Sequence, residues 1–135
     1  MYNMDILNSD KKFEIKFGSR HYGQKYYLFN KLLIKLKFNV SSIGFAYWIT
    51  ALIIATNENK HQLNNIESIY KSVAKFHNST RTRVERAMRT ARNNANEEIK
   101  KVFDYELKLT NKTILNLILN HITYQNNYKH IPHLD

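Results

Sequence analysis

The chain has 135 residues, 43% of them hydrophobic, which is enough to bury one core but too few for two comfortable domains. Its 21 Lys and Arg against 11 Asp and Glu give a formal net charge of +10 at pH 7, which favours a polyanionic partner such as nucleic acid or an anionic membrane. The absence of cysteine excludes disulfides, thiolate zinc sites and cysteine nucleophiles, and is compatible with a reducing cytoplasm.

Residues 1–25 form the first predicted segment, an arm without a long amphipathic period. Its start is polar and acidic rather than basic and then apolar, which argues against a secretory signal. Residues 12–17 alternate apolar and polar side chains as a short strand does, and Gly18 and Gly23 follow. A hairpin and a mobile arm therefore both stay open, and its basic and aromatic side chains suit either a phosphate backbone or a partner protein.

Apolar periodicity predicts about six helices in the rest of the chain, where strong helix breakers are nearly absent. The predicted helices cover residues 26–38, 43–56, 66–77, 80–94, 97–105 and 111–124. The sequence thus predicts an all-α fold, a compact bundle of about six helices that contains a helix-turn-helix. We divide the chain into the arm (1–25), the helical domain (26–124) and a frayed tail (125–135).

The second predicted helix is nearly all apolar, and Ser41 and Ser42 are its candidate N-caps. The apolar stretch of residues 43–55 is only about half the roughly 20 residues that a membrane-spanning helix needs. We therefore expect a buried helix and no membrane partner. The aromatic residues Phe45, Tyr47 and Trp48 on this helix are expected to belong to the core.

Residues 70–89 carry the pattern of a helix-turn-helix. This motif needs a small residue where its two helices cross, a residue that tolerates a left-handed backbone in the turn, and apolar residues that hold the second helix. Ala74, Asn78 and Val84 occupy these places at the usual spacing, and Val73 and Ala87 are further anchors. Asparagine stands where glycine is commoner, but it is among the few other residues that accept a positive φ.

The predicted helix 80–94 has two different faces. Its apolar side is a narrow stripe made of Val84, Ala87, Met88, Ala91 and Ala95. The opposite side carries Thr82, Arg86, Arg89, Thr90 and Asn93, and Arg83 and Glu85 flank it. Arginine can bind guanine in bidentate fashion, glutamate can accept from cytosine, and threonine can contact a thymine methyl or a phosphate. This set is suited to the major groove of double-stranded DNA, and Lys71, Lys75, Ser79, Thr80 and Arg81 complete the predicted DNA-binding residues.

A charged helical face is more often simply solvated, but the charge distribution argues for DNA contact. Residues 71–101 contain nine Lys or Arg and three Glu, so a net charge of +6 lies in under a quarter of the chain. A surface that serves solubility alone usually mixes its signs.

The segments Val73-Ala74-Lys75, Asn78-Ser79-Thr80 and Arg83-Val84-Glu85-Arg86-Ala87-Met88-Arg89 resemble the DNA-binding effector domain of the stage-zero sporulation master response regulator family. The likeness is ungapped over about 73–91 and extends more weakly over about 28–124, where residues 44–48 resemble a Gly-Tyr-x-Tyr-Leu segment. It implies a six-helix domain that places its second motif helix in the major groove of a promoter box, often with two copies side by side. The resemblance further implies base-reading or phosphate-contacting roles for Arg83, Glu85, Arg86, Arg89 and Thr90.

Two departures from this family affect the expectations. Thr90 stands where the family has histidine and Arg92 where it has an apolar residue, so we expect a changed DNA box. The full-length relatives carry a receiver domain of about 120 residues, whereas some 25 residues precede the first predicted helix here. We therefore expect no receiver domain and no phosphorylation control of that kind, and a role in sporulation does not follow.

Other candidate sites are weak. His130 and His133 are the close histidine pair, but further ligands are missing, so we expect no metal. His77 is expected to contact a helix end or a phosphate. No Ser-His-Asp arrangement, paired-acid motif or glycine-rich phosphate loop is recognisable, and we expect no enzyme, no cofactor and no small-molecule substrate.

The expected function is that of a bacterial transcription regulator, cytoplasmic and associated with the nucleoid, that reads a specific duplex sequence. Arg86 and Arg89 are its expected base readers, and Lys71, Lys75 and Arg81 are expected to position it. A homodimer and a tandem pair on DNA both stay open. Two alternatives remain: a nonspecific nucleic-acid or RNA-binding module whose basic stripe follows phosphates, and a protein-interaction antagonist of a related regulator that pairs through the terminal helices.

Overall fold

The computed structural model describes residues 19–58 and 63–128, with the side chains of residues 23–58 and 63–122. These ranges contain six helices and no strand: α1 (Ser19–Lys35), α2 (Ile43–Asn57), α3 (Glu67–Phe76), α4 (Arg81–Ala91), α5 (Asn96–Phe103) and α6 (Asn111–Tyr128). The predicted all-α bundle is confirmed. The strand-like residues 12–17 and the pair His130 and His133 lie outside the described residues.

Several helix boundaries differ from the sequence-based expectation. Helix α1 ends at Lys35 rather than at residue 38, and α5 ends at Phe103 rather than at residue 105. Helix α6 continues to Tyr128, so that residues 125–128, which were assigned to the tail, are helical. Helix α1 begins at Ser19, so that residues 19–25, which were assigned to the arm, are helical. Gly23 suggested a turn, but a single glycine inside a helix costs only about 1 kcal/mol, and packing of the rest of α1 outweighs that. Helix α4 ends at Ala91 rather than at residue 94, and residues 92–95 form a turn closed by a hydrogen bond from Ala95 N to Arg92 O (2.9 Å).

Helix α2 is the centre of the bundle. Every residue from Gly44 to Ala55 is buried, and α2 packs against α1, α3, α4 and α6. The prediction of a buried helix with core aromatic residues is confirmed, since Trp48 is fully buried and Phe45 and Tyr47 nearly so. Among the described residues, the helices are all too short or too polar to cross a membrane.

The start of α2 is organised differently from the prediction. Ser42 is at the N-cap position with an extended backbone, but its hydroxyl does not cap the helix. It donates instead to the carbonyl oxygen of Asn39 (3.1 Å), and the Ser41 hydroxyl bonds to the Asn39 side chain (2.8 Å). Both serine hydroxyls therefore bond to Asn39 within the turn between α1 and α2 instead of to the first amides of α2.

Candidate nucleic-acid interface

Helices α3 and α4 are joined by the tight turn that the sequence predicts. Asn78 has a φ of 55°, the left-handed conformation expected of it. The amide of Ser79 donates to Ala74 O (2.8 Å) and that of Asn78 to Lys75 O (3.4 Å), the hydrogen-bond pattern of a Schellman motif. This turn ends α3 and directs the chain into α4.

Thr80 begins α4. It has an extended backbone, and its side-chain oxygen accepts a hydrogen bond from Arg83 N (3.2 Å). Threonine in this N-cap position typically stabilises a helix by about 1 kcal/mol relative to alanine. The Thr80 hydroxyl, which the sequence analysis placed among the DNA contacts, thus has a partner within the chain.

The apolar stripe of α4 faces the core as predicted. Val84, Met88 and Ala91 are fully buried and Ala87 is partly buried. Ala95, which lies in the turn after α4, is fully buried as well. Helix α2 approaches this stripe closely at Gly44. A Cβ atom on Gly44 would lie 2.0 Å from Ala87 O and 2.8 Å from Ala91 Cβ, so only glycine allows this crossing.

The contact between Gly44 and α4 was not predicted, because Gly44 entered only as part of the segment 44–48 that resembles the family. Ala87 and Ala91, one turn apart on the inner side of α4, are the signal that could have indicated a close helix–helix approach. Ala74 also fulfils its predicted role as a small buried residue between the two motif helices, since α3 and α4 pack directly on each other.

The outer side of α4 is open to solvent. Its exposed residues, called here the α4 face, are Thr82, Arg83, Arg86, Arg89 and Thr90. Asn93 is also exposed, but it lies in the turn after α4 rather than on the helix. Lys71 and Lys75 are exposed on α3, and Ser79 is partly exposed in the turn.

A groove runs between the α4 face and the start of α2. Its volume is about 410 Å³, and its walls include Ser79, Arg83, Arg86 and Thr90 on one side and Ser42, Ile43, Gly44 and Tyr47 on the other. Four of the predicted DNA-binding residues are thus brought together on one surface.

Glu85 lies at the other edge of α4. Its side chain is 24% exposed, against 54% for Arg89, and the carboxylate pairs with Arg89 at 3.5 Å. The backbone oxygen of Glu85 accepts a hydrogen bond from Asn111 Nδ2 (3.2 Å). An i,i+4 pair of this kind contributes only about 0.3–0.5 kcal/mol, so Arg89 can leave it for another anion at small cost.

Arg81 is held within the chain. Its Nε donates to Glu67 Oε1 at 2.6 Å, a second nitrogen bonds the other carboxylate oxygen, and the guanidinium lies 4.9 Å from the centre of the Tyr70 ring. The hydrogen bond lowers the pKa of the Glu67 carboxyl and raises that of Arg81. Arg81, predicted as a positioning contact for DNA, thus ties the first turns of α3 and α4 together.

Arg92 is buried, with 7% of its surface exposed. Its Nε donates to Asn111 Oδ1 (2.7 Å) and its Nη1 to Asn96 Oδ1 (2.9 Å), while Asn111 Nδ2 donates to the Tyr70 hydroxyl (3.0 Å). Burial lowers the pKa of the Arg92 guanidinium, although arginine remains charged. The expectation that Arg92 alters the DNA box is not supported by its position, because it lies inside the fold; of the two departures, Thr90 alone is on the α4 face.

His77 also differs from its expected role. It occupies the C-cap of α3, but its Nε2 is 2.6 Å from the Thr50 hydroxyl on α2, and its ring packs against Tyr47. The side chain therefore connects the turn to the core rather than facing a phosphate. Within residues 19–58 and 63–128, no cluster of three His, Asp or Glu residues could hold a metal ion.

Comparison with known protein families identifies the family of this chain. Residues 29–122, more than two thirds of the chain, match the family described as the C-terminal domain of the sporulation initiation factor Spo0A. Comparisons with curated proteins and with solved structures give no match. The family is a DNA-binding domain of transcription regulators, rather than an enzyme family, and it binds double-stranded DNA. With a helix-turn-helix at the predicted place and this match over most of its length, the chain belongs to the Spo0A C-terminal family of DNA-binding domains.

Proposed function

We propose that this chain is a sequence-specific transcriptional regulator that places α4 in the major groove of double-stranded DNA. The observation that carries the proposal is the contrast between the two sides of α4. Its inner residues Val84, Met88 and Ala91 are fully buried, whereas Arg83, Arg86 and Arg89 are exposed on its outer side. The helix is thus fixed to the core while its guanidinium groups remain free of it.

The dimensions of α4 suit this role. An α-helix with its side chains is about 10–12 Å across, which fits the roughly 12 Å width of the major groove, and the 11 residues of α4 span about 16 Å. The three arginines follow each other at intervals of three residues, about 4.5 Å along the helix axis. Since base pairs repeat at about 3.4 Å, this spacing allows the arginines to reach successive or nearly successive base pairs.

The neighbouring residues would orient the domain on the duplex. Lys71 and Lys75 on α3 and Ser79 in the turn supply donors for phosphate oxygens, which fix the register of a DNA-binding protein without reading bases. In a helix-turn-helix the first helix crosses the DNA backbone, which is where α3 would lie. We further propose that the protein acts at the nucleoid in the cytoplasm, as a single copy or as a pair on DNA.

The test starts from duplexes selected by the wild-type protein from a random pool. Arg86→Ala is then compared with wild type on the selected duplex and on a scrambled duplex of equal length. We expect a loss of about 1–3 kcal/mol, roughly 5- to 150-fold in Kd, on the selected duplex and a much smaller loss on the scrambled one. The matched control is Lys31→Ala, which removes one exposed positive charge from α1 instead.

Three outcomes would contradict the proposal. Equal losses on both duplexes, or a selection that enriches no motif, would indicate a nonspecific module that binds phosphates. Unchanged regulatory activity after replacing Arg83, Arg86 and Arg89 together would indicate a protein-interaction module.

A further inference from the structure

The C-terminal end of α4 is held by hydrogen bonds from outside the helix. The last four carbonyl groups of any α-helix lack a partner within it. In α4, Met88 O accepts from the indole Nε1 of Trp48 (2.8 Å), and Ala91 O accepts from the backbone amide of Asn39 (3.0 Å). The backbone amide of Arg92 donates to Thr90 O, and not to Met88 O as it would in a continuing helix. Helix α2 and the turn before it thus cap the end of α4.

The Trp48 bond is the more protected of the two. The Trp48 side chain is fully buried, and Phe38 packs edge-on against its ring with centroids 5.2 Å apart. Met88 is fully buried as well, so water cannot readily replace the indole as a donor. A buried carbonyl that loses its donor is costly, and the last turn of a helix can relieve that cost by opening.

We propose that Trp48 is a positioning residue for DNA reading: its indole N–H fixes the last turn of α4 and thereby the placement of Arg89 and Thr90. Both residues directly follow Met88 in the chain, and both belong to the α4 face. Arg83 lies at the other end of the helix, where Thr80 provides the cap. Loss of the Trp48 bond therefore affects base positions read by the C-terminal half of α4 and spares those read by Arg83. This inference rests on the proposed function.

The test removes the N–H and keeps the shape of the ring. Trp48 is the only tryptophan of the chain, so residue-specific incorporation of benzothienylalanine replaces its indole with a benzothiophene that has no N–H. Trp48→Phe is the second variant. Ile53→Val is the matched control, because Ile53 is also buried on α2 and this change removes a methyl group but no hydrogen bond.

The first readout needs no DNA. We expect the amides of residues 88–91 to exchange with solvent about tenfold faster in the benzothiophene variant, relative to the amides of Leu115 and Ile118 in α6. In Ile53→Val the ratio between the two helices stays as in the wild type. An unchanged ratio in both Trp48 variants would overturn the proposal.

The second readout is the selected DNA motif. We expect the variants to lose discrimination at the base positions that also depend on Arg89 or Thr90, and to keep it where Arg83→Ala has its effect. If the wild-type protein selects no motif, the proposed function is refuted, and the hydrogen-exchange result alone tests whether the Trp48 bond holds the end of α4. A wild-type motif that the variants select unchanged refutes the positioning role and leaves the proposed function intact.

Discussion

Replacing Gly44 by alanine tests the close crossing of α2 and α4. The new Cβ atom would lie 2.0 Å from Ala87 O and 2.6 Å from Ala87 C, which are backbone atoms of α4. Carbon and oxygen atoms need a separation of roughly 3.3 Å, so the two helices must move apart by about 1 Å or more. A flexible side chain could rotate out of the way, but the backbone of a packed helix cannot.

The size of the effect follows from two opposing contributions. Forcing an extra carbon into a packed core usually costs about 1–3 kcal/mol and occasionally more, and the short distance to backbone places Gly44→Ala at the upper end. Alanine regains about 1 kcal/mol through its higher helix propensity. We therefore expect a net loss of about 2 kcal/mol or more in the free energy of unfolding, measured as a urea midpoint lowered by about 1–2 M.

Gly23→Ala is the matched control for this experiment. Gly23 lies inside α1, and a Cβ atom there would meet nothing within 4 Å. The control should be neutral or more stable by up to about 1 kcal/mol. If Gly44→Ala proves as stable as Gly23→Ala, the two helices do not cross as closely as described.

Two further predictions concern polar contacts around α4. Because Arg81 lowers the folded-state pKa of Glu67, its ionised carboxylate stabilises the fold above the unfolded pKa of about 4.3, and this contribution is lost as pH falls through the folded pKa. Wild type should therefore be more stable than Glu67→Gln by a constant difference from about pH 5.5 to 8, shrinking below about pH 4 in urea titrations; a difference that persists unchanged to pH 2 would refute the ion pair. Asn111→Ala should destabilise by roughly 3 kcal/mol, because Arg92 Nε and the Tyr70 hydroxyl both lose a buried partner. Asn120→Ala, at an exposed position of the same helix, serves as its control, and equal urea midpoints for the two variants would contradict the network.

The sequence predicted those features of the fold that depend on near neighbours in the chain. The burial of Val84, Met88 and Ala91 follows from a helical period, and the positive φ of Asn78 follows from the spacing of the motif. Six helices could be predicted for the same reason. The predicted start of α1 was wrong, because residues 1–25 show no long amphipathic period, whereas the helix continues through Gly23 back to Ser19.

Features that depend on distant contacts were not predictable from periodicity. Arg92 lies near the edge of the apolar stripe on the helical wheel, but nothing local shows that Asn111, 19 residues further along the chain, provides an acceptor for it. In the sequence, Arg81 is one of several surface cations. Its ion pair with Glu67 depends on the angle at which α3 and α4 pack, which the sequence pattern does not give. For the candidate site, the sequence therefore identified the exposed α4 face but not the contacts that hold α4 in place.

Methylation interference on the selected duplex tests the central claim most directly. Dimethyl sulfate methylates guanine at N7 in the major groove, where arginine is proposed to donate its hydrogen bonds. The account predicts that premethylated guanines within the motif prevent binding by wild type, and that Arg86→Ala loses this sensitivity at one guanine. Binding that tolerates N7 methylation at every guanine of the motif would contradict the placement of α4 in the major groove.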